Sequence, residues 1–311
     1  MYQKNIKEQI APASITKLMT AILLLDSYSI DDTVNLQIDD PNIKGKIAYF
    51  KPNVTMSIED LIDFLLVYSA NDAAHAAALL VADTEQEFIA MMNDRANKLN
   101  MKNTNFTNVH GLDEQGHYTT IEDLLALSLE CLKYPEIIVS TSKEYFYHNN
   151  DEGNSIKYYS TNTLLDDNFT GLKTGWTDDA GLTFVGLYQG LDRNIISIVN
   201  RSIVDESLNS HFRDTIKLIE LSIFNFNDYV LIENGEPIFS THSATTSNII
   251  KNNKDVITFG YINNPTKIFI KEFNGNTLSL SLSNEIILNY NTSTTSHVSL
   301  ISNLLTWLFR F

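Results

Sequence analysis

The stretch Phe169-Thr-Gly-Leu-Lys-Thr-Gly-Trp-Thr177 contains the tripeptide Lys173-Thr174-Gly175, the third of three short patterns that occur in order. Ser14-Ile-Thr-Lys17 lies near the start of the chain, and Ser69-Ala-Asn71 lies between the other two. Written as S-x-x-K, S-x-N and K-T-G, the patterns pair a hydroxyl with a lysine, a hydroxyl with an amide, and a lysine with a hydroxyl. The ordered set, rather than any one pattern, decides how the chain is interpreted.

Each pattern taken alone is common, because serine and lysine are frequent residues. Ser140-Thr-Ser-Lys143 also fits the first pattern, and Ser207-Leu-Asn209 also fits the second. Neither completes an ordered set, because Ser140 has no suitable K-T-G far downstream and Ser207 follows the only K-T-G. The complete trio is typical of serine enzymes that acylate on penicillin-like substrates.

The composition is that of an ordinary globular protein, with 311 residues, 43% hydrophobic and 19% charged, enough for one large domain or two smaller ones. The net charge of −16 argues against nucleic acid as a partner, since phosphate binding needs clustered Lys and Arg. The single cysteine, Cys131, excludes an intrachain disulfide and is expected to be a buried thiol. No H-E-x-x-H pattern or cysteine pair occurs, so we expect no metal and no other cofactor, and we expect His110 and His117 to order a loop.

The first pattern provides a nucleophile and a base. Ser14 and Lys17 are three residues apart in an apolar run that predicts a buried helix, so they share one face. A hydroxyl attacks only when a neighbouring base takes its proton, and a desolvated lysine near other cations has the lowered pKa this needs. Lys173 would supply the second positive charge. The helix start also places N–H groups near a developing oxyanion.

The second pattern is expected on a loop between two helices. The Ser69 hydroxyl can relay a proton to a leaving amine, and the Asn71 amide can hold Lys17 or a substrate amide. The structural alternative is an N-cap for the helix predicted over Asn71–Val81, and one residue can do both.

The third pattern is expected on a strand, because Gly171, Gly175 and Gly181 indicate a close approach of another backbone or of a ligand. The edge at Lys173–Thr177 can bind a peptide by backbone pairing, with Lys173 and Thr174 gripping its carboxylate. The N–H of Trp176 would complete the oxyanion hole with that of Ser14.

The order of helices and strands predicts two parts. Helices are expected from Ser14 and over Leu61–Tyr68, Asn71–Val81, Glu85–Leu99, Thr120–Leu132 and Asp205–Phe224, with strands in Glu144–Tyr159, Gly181–Tyr188 and Asn194–Val199. Beyond Phe226 the pattern is of short strands: Tyr229–Glu233, Val256–Tyr261, Lys267–Phe273, Thr277–Leu282 and Ile286–Tyr290. We therefore assign residues 1–226 to a catalytic domain, 227–292 to a small β domain and 293–311 to a C-terminal helix. This last helix is amphipathic and too short to span a bilayer, which favours an interfacial membrane anchor over a helix packed on the body.

At these residues the chain resembles the D-alanyl-D-alanine carboxypeptidase family of serine peptidases, the low-molecular-weight penicillin-binding proteins. The similarity extends beyond the trio to Ala11–Thr20, Tyr68–Ala74, Met101–Phe106, His110–Asp113, His117–Thr120, Asn162–Leu165 and Gly171–Gly181. The segment after residue 226 resembles the family's membrane-proximal β domain in position and size only.

The resemblance implies an α+β fold, with a β-lactamase/transpeptidase-like antiparallel sheet flanked by helices. It implies that Ser14 is acylated, that Lys17 is the base, that Ser69 and Asn71 relay a proton, and that Lys173 and Thr174 bind a carboxylate, next to Gly175 and Trp176. The expected substrates are peptidoglycan stem peptides ending in D-Ala-D-Ala, and β-lactam antibiotics would trap Ser14. The expected location is the extracytoplasmic face of a bacterial membrane.

The chain departs from the family pattern in three places. Only Met1–Ile10 precede Pro12, so a signal peptide and an early strand are expected before this start. The position of a downstream carboxylate-binding arginine falls on His211, with Arg213 two residues further on. Trp176 is bulkier than the family's frequent His or Tyr, which predicts a shifted substrate preference.

Two alternative enzymes use the same motifs, and a third alternative is not an enzyme. A class A β-lactamase would need a Glu base and a downstream Asn between the second and third motifs, and the Asp166-Asp167 stretch does not provide this pattern. A DD-endopeptidase would use the same residues on cross-links. A non-catalytic cell-envelope scaffold would have no need of the intact trio.

Overall fold

The structure is a computed structural model that describes residues 3–38, 42–149, 153–166, 168–190, 194–204, 206 and 208–225, together with six strands further along the chain. The chain divides into two units, Met1–Glu220 and Leu221–Phe311.

A helical cluster forms most of the core of the first unit. The helices are α1 (Lys17–Ser27), α2 (Ile58–Asp63), α3 (Asn71–Val81), α4 (Glu85–Lys98), α5 (Ile121–Cys131), α6 (Pro135–Thr141) and α7 (Ser210–Asn225). Helix α1 is central because eight of its residues, Lys17 to Leu24, are buried. It packs against α3, α4 and α5, so the apolar run after the first motif serves as the core of the fold.

The strands of the first unit form three antiparallel sheets. They are β1 (Thr33–Leu36), β2 (Val54–Ser57), β3 (Tyr145–Asn149), β4 (Ser155–Tyr159), β5 (Phe169–Thr177), β6 (Gly181–Gln189) and β7 (Asn194–Ser202). Strand β1 pairs with β2, β3 pairs with β4, and β5, β6 and β7 form a sheet in that order. The third motif therefore lies on β5, which has β6 on one side and no other described strand on the other.

Several boundaries differ from the sequence prediction. The segment Ala13–Thr16, which contains Ser14, is a 3-10 turn, and the α-helix proper begins at Lys17. The helix capped by Ser57 starts three residues earlier than predicted and ends as a π-helical turn, Phe64–Tyr68. Helix α7 begins at Ser210 rather than Asp205. The pair β1–β2 and helix α6, with Pro135 at its first position, were not predicted.

The second unit contains six strands: β8 (Ile232–Glu233), β9 (Glu236–Pro237), β10 (Ile257–Thr258), β11 (Ile268–Asn274), β12 (Thr277–Leu282) and β13 (Ile286–Asn291). They form one antiparallel sheet in the order β13-β12-β11-β8-β9, with β10 also paired to β11. The β-rich character predicted after residue 226 agrees with this sheet. The predicted amphipathic helix at 293–311 lies outside the described residues. Among the described helices, none is both long enough and apolar enough to cross a membrane.

Candidate active site

The first motif places the candidate nucleophile, Ser14, and the candidate base, Lys17, together at the start of α1. Lys17 Nζ lies 3.0 Å from Ser14 Oγ, so the predicted spacing brings the two groups into hydrogen-bond contact. The residue before the serine, Ala13, has a left-handed backbone with φ of 48°. An L-residue rarely adopts this conformation except where the surrounding structure enforces it, as at catalytic turns.

Two further oxygen atoms surround the Lys17 ammonium. Its Nζ donates to Asn71 Oδ1 at 2.7 Å and to the His110 carbonyl oxygen at 2.8 Å. The side chain is completely buried. Burial lowers the pKa of Lys17 to about 7; the nearby Asp72 carboxylate raises it and the Lys46 charge lowers it further. A lysine with this pKa is available as a base near neutral pH.

The second motif lies between the π-helical turn and α3, as expected for a loop between two helices. Ser69 ends the turn with a left-handed backbone, φ 69°. Asn71 is the first residue of α3, and its Nδ2 donates to the Lys44 carbonyl at 2.7 Å while its Oδ1 holds Lys17. No side-chain cap is made at Ala70, so the N-cap alternative does not describe Asn71.

The third motif brings a second lysine to the same place. Lys173 Nζ donates to Ser69 Oγ at 2.9 Å and to the Thr174 carbonyl at 3.1 Å. Its side chain is 1% exposed, and burial, together with the charges of Lys17 and Lys46, lowers the pKa of Lys173 well below its usual value. In this structure the Lys173 amino group therefore contacts the Ser69 hydroxyl, in addition to the carboxylate-binding role expected from the sequence.

The Thr174 hydroxyl points to a loop residue that the sequence analysis did not single out. Thr174 Oγ1 lies 2.6 Å from Thr161 Oγ1. The Thr161 N–H donates to the Val67 carbonyl at 3.1 Å, so Thr161 connects the third motif to the π-helical turn that precedes the second motif. The segment Asn162–Leu165, which resembles the family, begins one residue after Thr161, so the sequence analysis came close to this residue without including it.

Glycines allow the three motifs to approach each other. At Gly175 a Cβ would lie 2.9 Å from the Ala13 Cβ and 3.2 Å from the Ser14 nitrogen. At Gly111 a Cβ would lie 1.8 Å from the Ala13 carbonyl oxygen, and its φ is +94°. The nucleophile turn is therefore held between β5 and the loop around Gly111, which needs glycine on both sides.

A loop that the sequence analysis did not single out closes the site beside Asn71. The Asp72 carboxylate accepts hydrogen bonds from the backbone N–H groups of Ala48, Tyr49 and Phe50 at 2.8–3.4 Å. The loop carries Lys46, whose Nζ lies 4.0 Å from the centroid of the Tyr68 ring. The feature of the sequence that could have indicated this loop is Asp72, the carboxylate that directly follows the S-x-N pattern.

The two histidines of the connecting loop have structural hydrogen bonds, as predicted. His117 Nδ1 accepts from the Thr107 N–H at 3.0 Å, so its Nε2 carries the proton that reaches Thr16 Oγ1 at 3.0 Å. His110 Nδ1 accepts from the Leu112 N–H at 3.2 Å. Burial is the main cause that lowers the pKa of both rings to about 4, which keeps them neutral.

The remaining predicted site residues lie at the periphery of this cluster or outside it. Trp176 is 57% exposed. His211 is buried on α7 against the rings of Phe184 and Phe212, and burial lowers its pKa to about 4, so it carries no charge at neutral pH. Arg213 is exposed on the same helix. Phe184 is the cross-strand partner of Thr174, which places α7 on the Thr174 face of the sheet. That His211 or Arg213 meets a substrate carboxylate stays a prediction.

The second match to the first pattern has a structural role. Ser140 Oγ donates to Asp63 Oδ1 at 2.8 Å, and Lys143 Nζ lies 2.6 Å from Asp63 Oδ2. The lysine therefore neutralises a buried carboxylate and does not face the hydroxyl.

Cys131 is fully buried, and burial raises the pKa of its thiol. Within the described part of the chain, no three His, Cys, Asp or Glu side chains are placed to hold a metal ion.

Comparison with known proteins agrees with this geometry. A family model described as D-alanyl-D-alanine carboxypeptidase matches residues 1–202. The D-alanyl-D-alanine carboxypeptidase DacF of Bacillus subtilis is 32% identical over 191 residues, which are 58% of this chain and 48% of that protein. DacD of Escherichia coli is 31% identical over 251 residues, 75% of this chain and 62% of that protein. The chain spans about half to three fifths of the length of these curated relatives.

Solved structures show the same fold. Penicillin-binding protein D2 of Listeria monocytogenes, crystallised with cefotaxime bound, is 34% identical with a TM-score of 0.61, and the match covers 71% of this chain and 91% of that chain. A Streptomyces DD-transpeptidase is 22% identical with a TM-score of 0.65, covering 72% and 91% respectively. These neighbours confirm the predicted α+β, transpeptidase-like fold.

Proposed function

The chain belongs to the D-alanyl-D-alanine carboxypeptidase family, and on this premise we propose that it removes the terminal D-alanine from peptidoglycan stem peptides through an acyl-enzyme on Ser14. The observation that carries this proposal is the environment of Lys17. Its Nζ contacts two oxygens that can only accept, Asn71 Oδ1 and the His110 carbonyl, and one hydroxyl, Ser14 Oγ.

These three contacts fit the neutral amine required of a base. A neutral lysine has two N–H bonds and one lone pair. The two N–H bonds are used by Asn71 and His110, so the lone pair is left for the Ser14 hydroxyl proton. The lowered pKa makes this form available near neutral pH.

Acylation then proceeds in balanced steps. Lys17 takes the Ser14 proton while Ser14 Oγ attacks the carbonyl carbon of the penultimate D-alanine. The N–H groups of Ser14 and Trp176 receive the oxyanion. As the C–N bond breaks, the Ser69 hydroxyl, in contact with Lys173, passes its proton to the leaving amine. Ser69 is reprotonated by the proton that Lys17 took from Ser14, so both side chains return to their starting forms. Water then hydrolyses the ester, which releases the shortened peptide and restores the Ser14 hydroxyl.

Recognition of the terminal carboxylate is assigned to the third motif. Thr174, a residue that is 9% exposed, lies on β5, and Lys173 precedes it on the same strand. Arrival of a carboxylate would raise the pKa of Lys173, because an opposite charge favours the ammonium form. His211 or Arg213 is the further candidate for this role.

The first experiment is labelling with a fluorescent penicillin, wild type beside Ser14→Ala, read by denaturing gel and intact mass. A stable adduct on the wild type alone supports the acyl-serine mechanism, and release of D-alanine from a D-Ala-D-Ala peptide then supports the carboxypeptidase. Rapid loss of penicillin without an adduct would favour a β-lactamase. No adduct on a folded protein would favour the scaffold.

A DD-endopeptidase is the second candidate, because the D-alanyl-D-alanine endopeptidase of Pseudomonas aeruginosa is 28% identical over 224 residues, 71% of its length. The acylation chemistry is the same, and the two differ in what occupies the leaving-group side. Cleavage of a cross-linked muropeptide dimer at a rate comparable with that of the pentapeptide would favour the endopeptidase.

The domain organisation and the location belong to the same proposal. Residues 1–226 are the peptidase domain, 227–292 a small β domain, and 293–311 an amphipathic helix that lies on the membrane surface. Action on peptidoglycan requires the extracytoplasmic face of the bacterial membrane, and β-lactams are the expected covalent inhibitors. Support comes from the family match and from the sheet formed by β8 to β13.

A further inference from the structure

We propose that the Lys46 ammonium is a specificity-determining group that binds a carboxylate on the acyl side of the scissile peptide bond. This inference rests on the proposed function, since it concerns the substrate of the same site. It assigns to the chain a preference for acyl segments that carry a negative charge near the reacting carbonyl.

The backbone of Lys46 is fixed to the second motif. The Asn71 N–H donates to the Lys46 carbonyl at 2.7 Å, and the Asn71 side chain donates to the Lys44 carbonyl at 2.7 Å. Between them Gly45 has φ +82°, and a Cβ there would lie 2.5 Å from Asn71 Nδ2. The Lys44–Lys46 turn therefore packs directly against Asn71 and lines one side of the candidate site.

The side chain of Lys46 is oriented by an aromatic ring and not by a carboxylate that would neutralise its charge. It is exposed, and its Nζ lies 4.0 Å from the centroid of Tyr68, the residue before Ser69. An aromatic face orients an ammonium but leaves its charge available. Among the described residues no carboxylate forms an ion pair with Lys46.

Lys46 is also close enough to act on the catalytic lysines. Its charge lowers the pKa of both Lys17 and Lys173. The exposed Lys46 side chain thus belongs to the same cluster as the two buried lysine side chains. In a chain with a net charge of −16, the Lys46 ammonium is a local positive charge that attracts anionic ligands to the site.

The position of Lys46 indicates that it contacts the acyl side of the substrate and not the leaving-group side. The terminal carboxylate is assigned to Lys173 and Thr174 on β5, on the leaving-group side. Lys46 lies on a different segment, on the wall built by Tyr68 and Asn71. A peptide that pairs along β5 with its terminal carboxylate at one end directs its acyl segment away from that end, so a second cation on the other wall is placed for an anion there.

The test uses two peptides that differ only in charge, acetyl-Glu-D-Ala-D-Ala and acetyl-Gln-D-Ala-D-Ala, each cleaved between the two D-alanines. For the wild type we expect kcat/KM to favour the glutamyl peptide roughly fivefold, the scale of an exposed ion pair. Lys46→Met should bring this ratio close to one, and Lys46→Arg should preserve it. Lys98→Met removes the same charge from an exposed position at the end of α4 and should also preserve the ratio.

The ratio is a clean readout because any change in the pKa of Lys17 affects both peptides equally. Added salt should lower the wild-type ratio toward one, since screening weakens an exposed pair. A ratio unchanged in Lys46→Met, or no glutamyl preference in the wild type, would overturn the inference and leave the proposed function standing. Absence of cleavage of either peptide, together with absence of a penicillin adduct, would instead reject the proposed function and the inference with it.

Discussion

Lys17 connects the sequence pattern to a measurable pH dependence. The active form is the unprotonated amine, so the acylation rate should rise with pH and level off above the pKa of about 7. At pH 6 we expect a second-order acylation rate roughly tenfold below the plateau, because about a tenth of the amine is then neutral. The rate constant for a fluorescent penicillin, measured from pH 5 to 9, checks this.

The same pH profile, measured on a variant of Lys46, tests whether the pKa of Lys17 sets its midpoint. The positive charge of Lys46 lowers the pKa of Lys17, so Lys46→Met should move the midpoint to higher pH. A profile flat across neutral pH in the wild type would mean that Lys17 is not the base.

Thr161 permits a second test at the residue scale. Its hydroxyl lies 2.6 Å from that of Thr174, and we expect it to fix the orientation in which Thr174 meets the substrate carboxylate. Thr161→Val keeps the shape and the backbone bond to Val67 but removes the hydroxyl, and should raise KM about fivefold to tenfold with little change in kcat. Thr161→Ser restores the hydroxyl and should restore KM. Equal KM values for the two variants, from steady-state cleavage of a D-Ala-D-Ala peptide, would contradict this role.

At the scale of elements, the loop around Gly111 holds the 3-10 turn that carries Ser14. A Cβ at position 111 would lie 1.8 Å from the Ala13 carbonyl oxygen, so Gly111→Ala must displace the nucleophile turn. We expect acylation to fall about 100-fold, since a displacement of about 1 Å has that effect on positioned groups.

The matched control for this prediction is Gly116→Ala. Gly116 has a similar φ of +86°, but its nearest neighbour, Thr107 Cγ2, is 3.6 Å from the added Cβ. This variant shares the backbone strain, about 1 kcal/mol, without the clash. Acylation rates and Tm values of the two variants separate close approach from strain, and similar acylation rates would show that the turn tolerates the displacement.

At the scale of the whole molecule, the division into two units predicts an independent peptidase. All described contacts of the candidate site lie within Met1–Glu220. A chain ended after Asn225, which keeps α7 whole, should therefore fold and acylate within about twofold of the full chain. Circular dichroism and penicillin labelling measure both properties, and a folded fragment without an adduct would show that the second unit contributes to the site.

The C-terminal segment makes a separate whole-molecule prediction. If residues 293–311 lie in the membrane interface through their apolar face, the full chain should co-sediment with lipid vesicles and a chain ended at residue 292 should not. Acylation should be the same for both chains. Equal sedimentation of the two would assign the segment to packing on the protein.

The sequence by itself determined the helix over Asn71–Val81, the hairpin of β3 and β4 and the contact of Ser14 with Lys17, while the fold class followed from the family resemblance. These follow from local rules, because spacing on a helix and alternation in a strand fix which neighbours share a face. The family, confirmed by comparison, was likewise present in three short motifs.

The tertiary structure alone decided how residues distant in the chain converge. Lys173 meets Ser69, Thr161 meets Thr174, and the Lys44–Lys46 turn is sealed against Asn71. It also distinguished Ser14 and Lys17, which contact each other, from the Ser140–Lys143 match, whose lysine pairs with Asp63. No local pattern encodes these contacts, because they depend on packing between segments tens of residues apart, and burial in that packing is what lowers the pKa of Lys17.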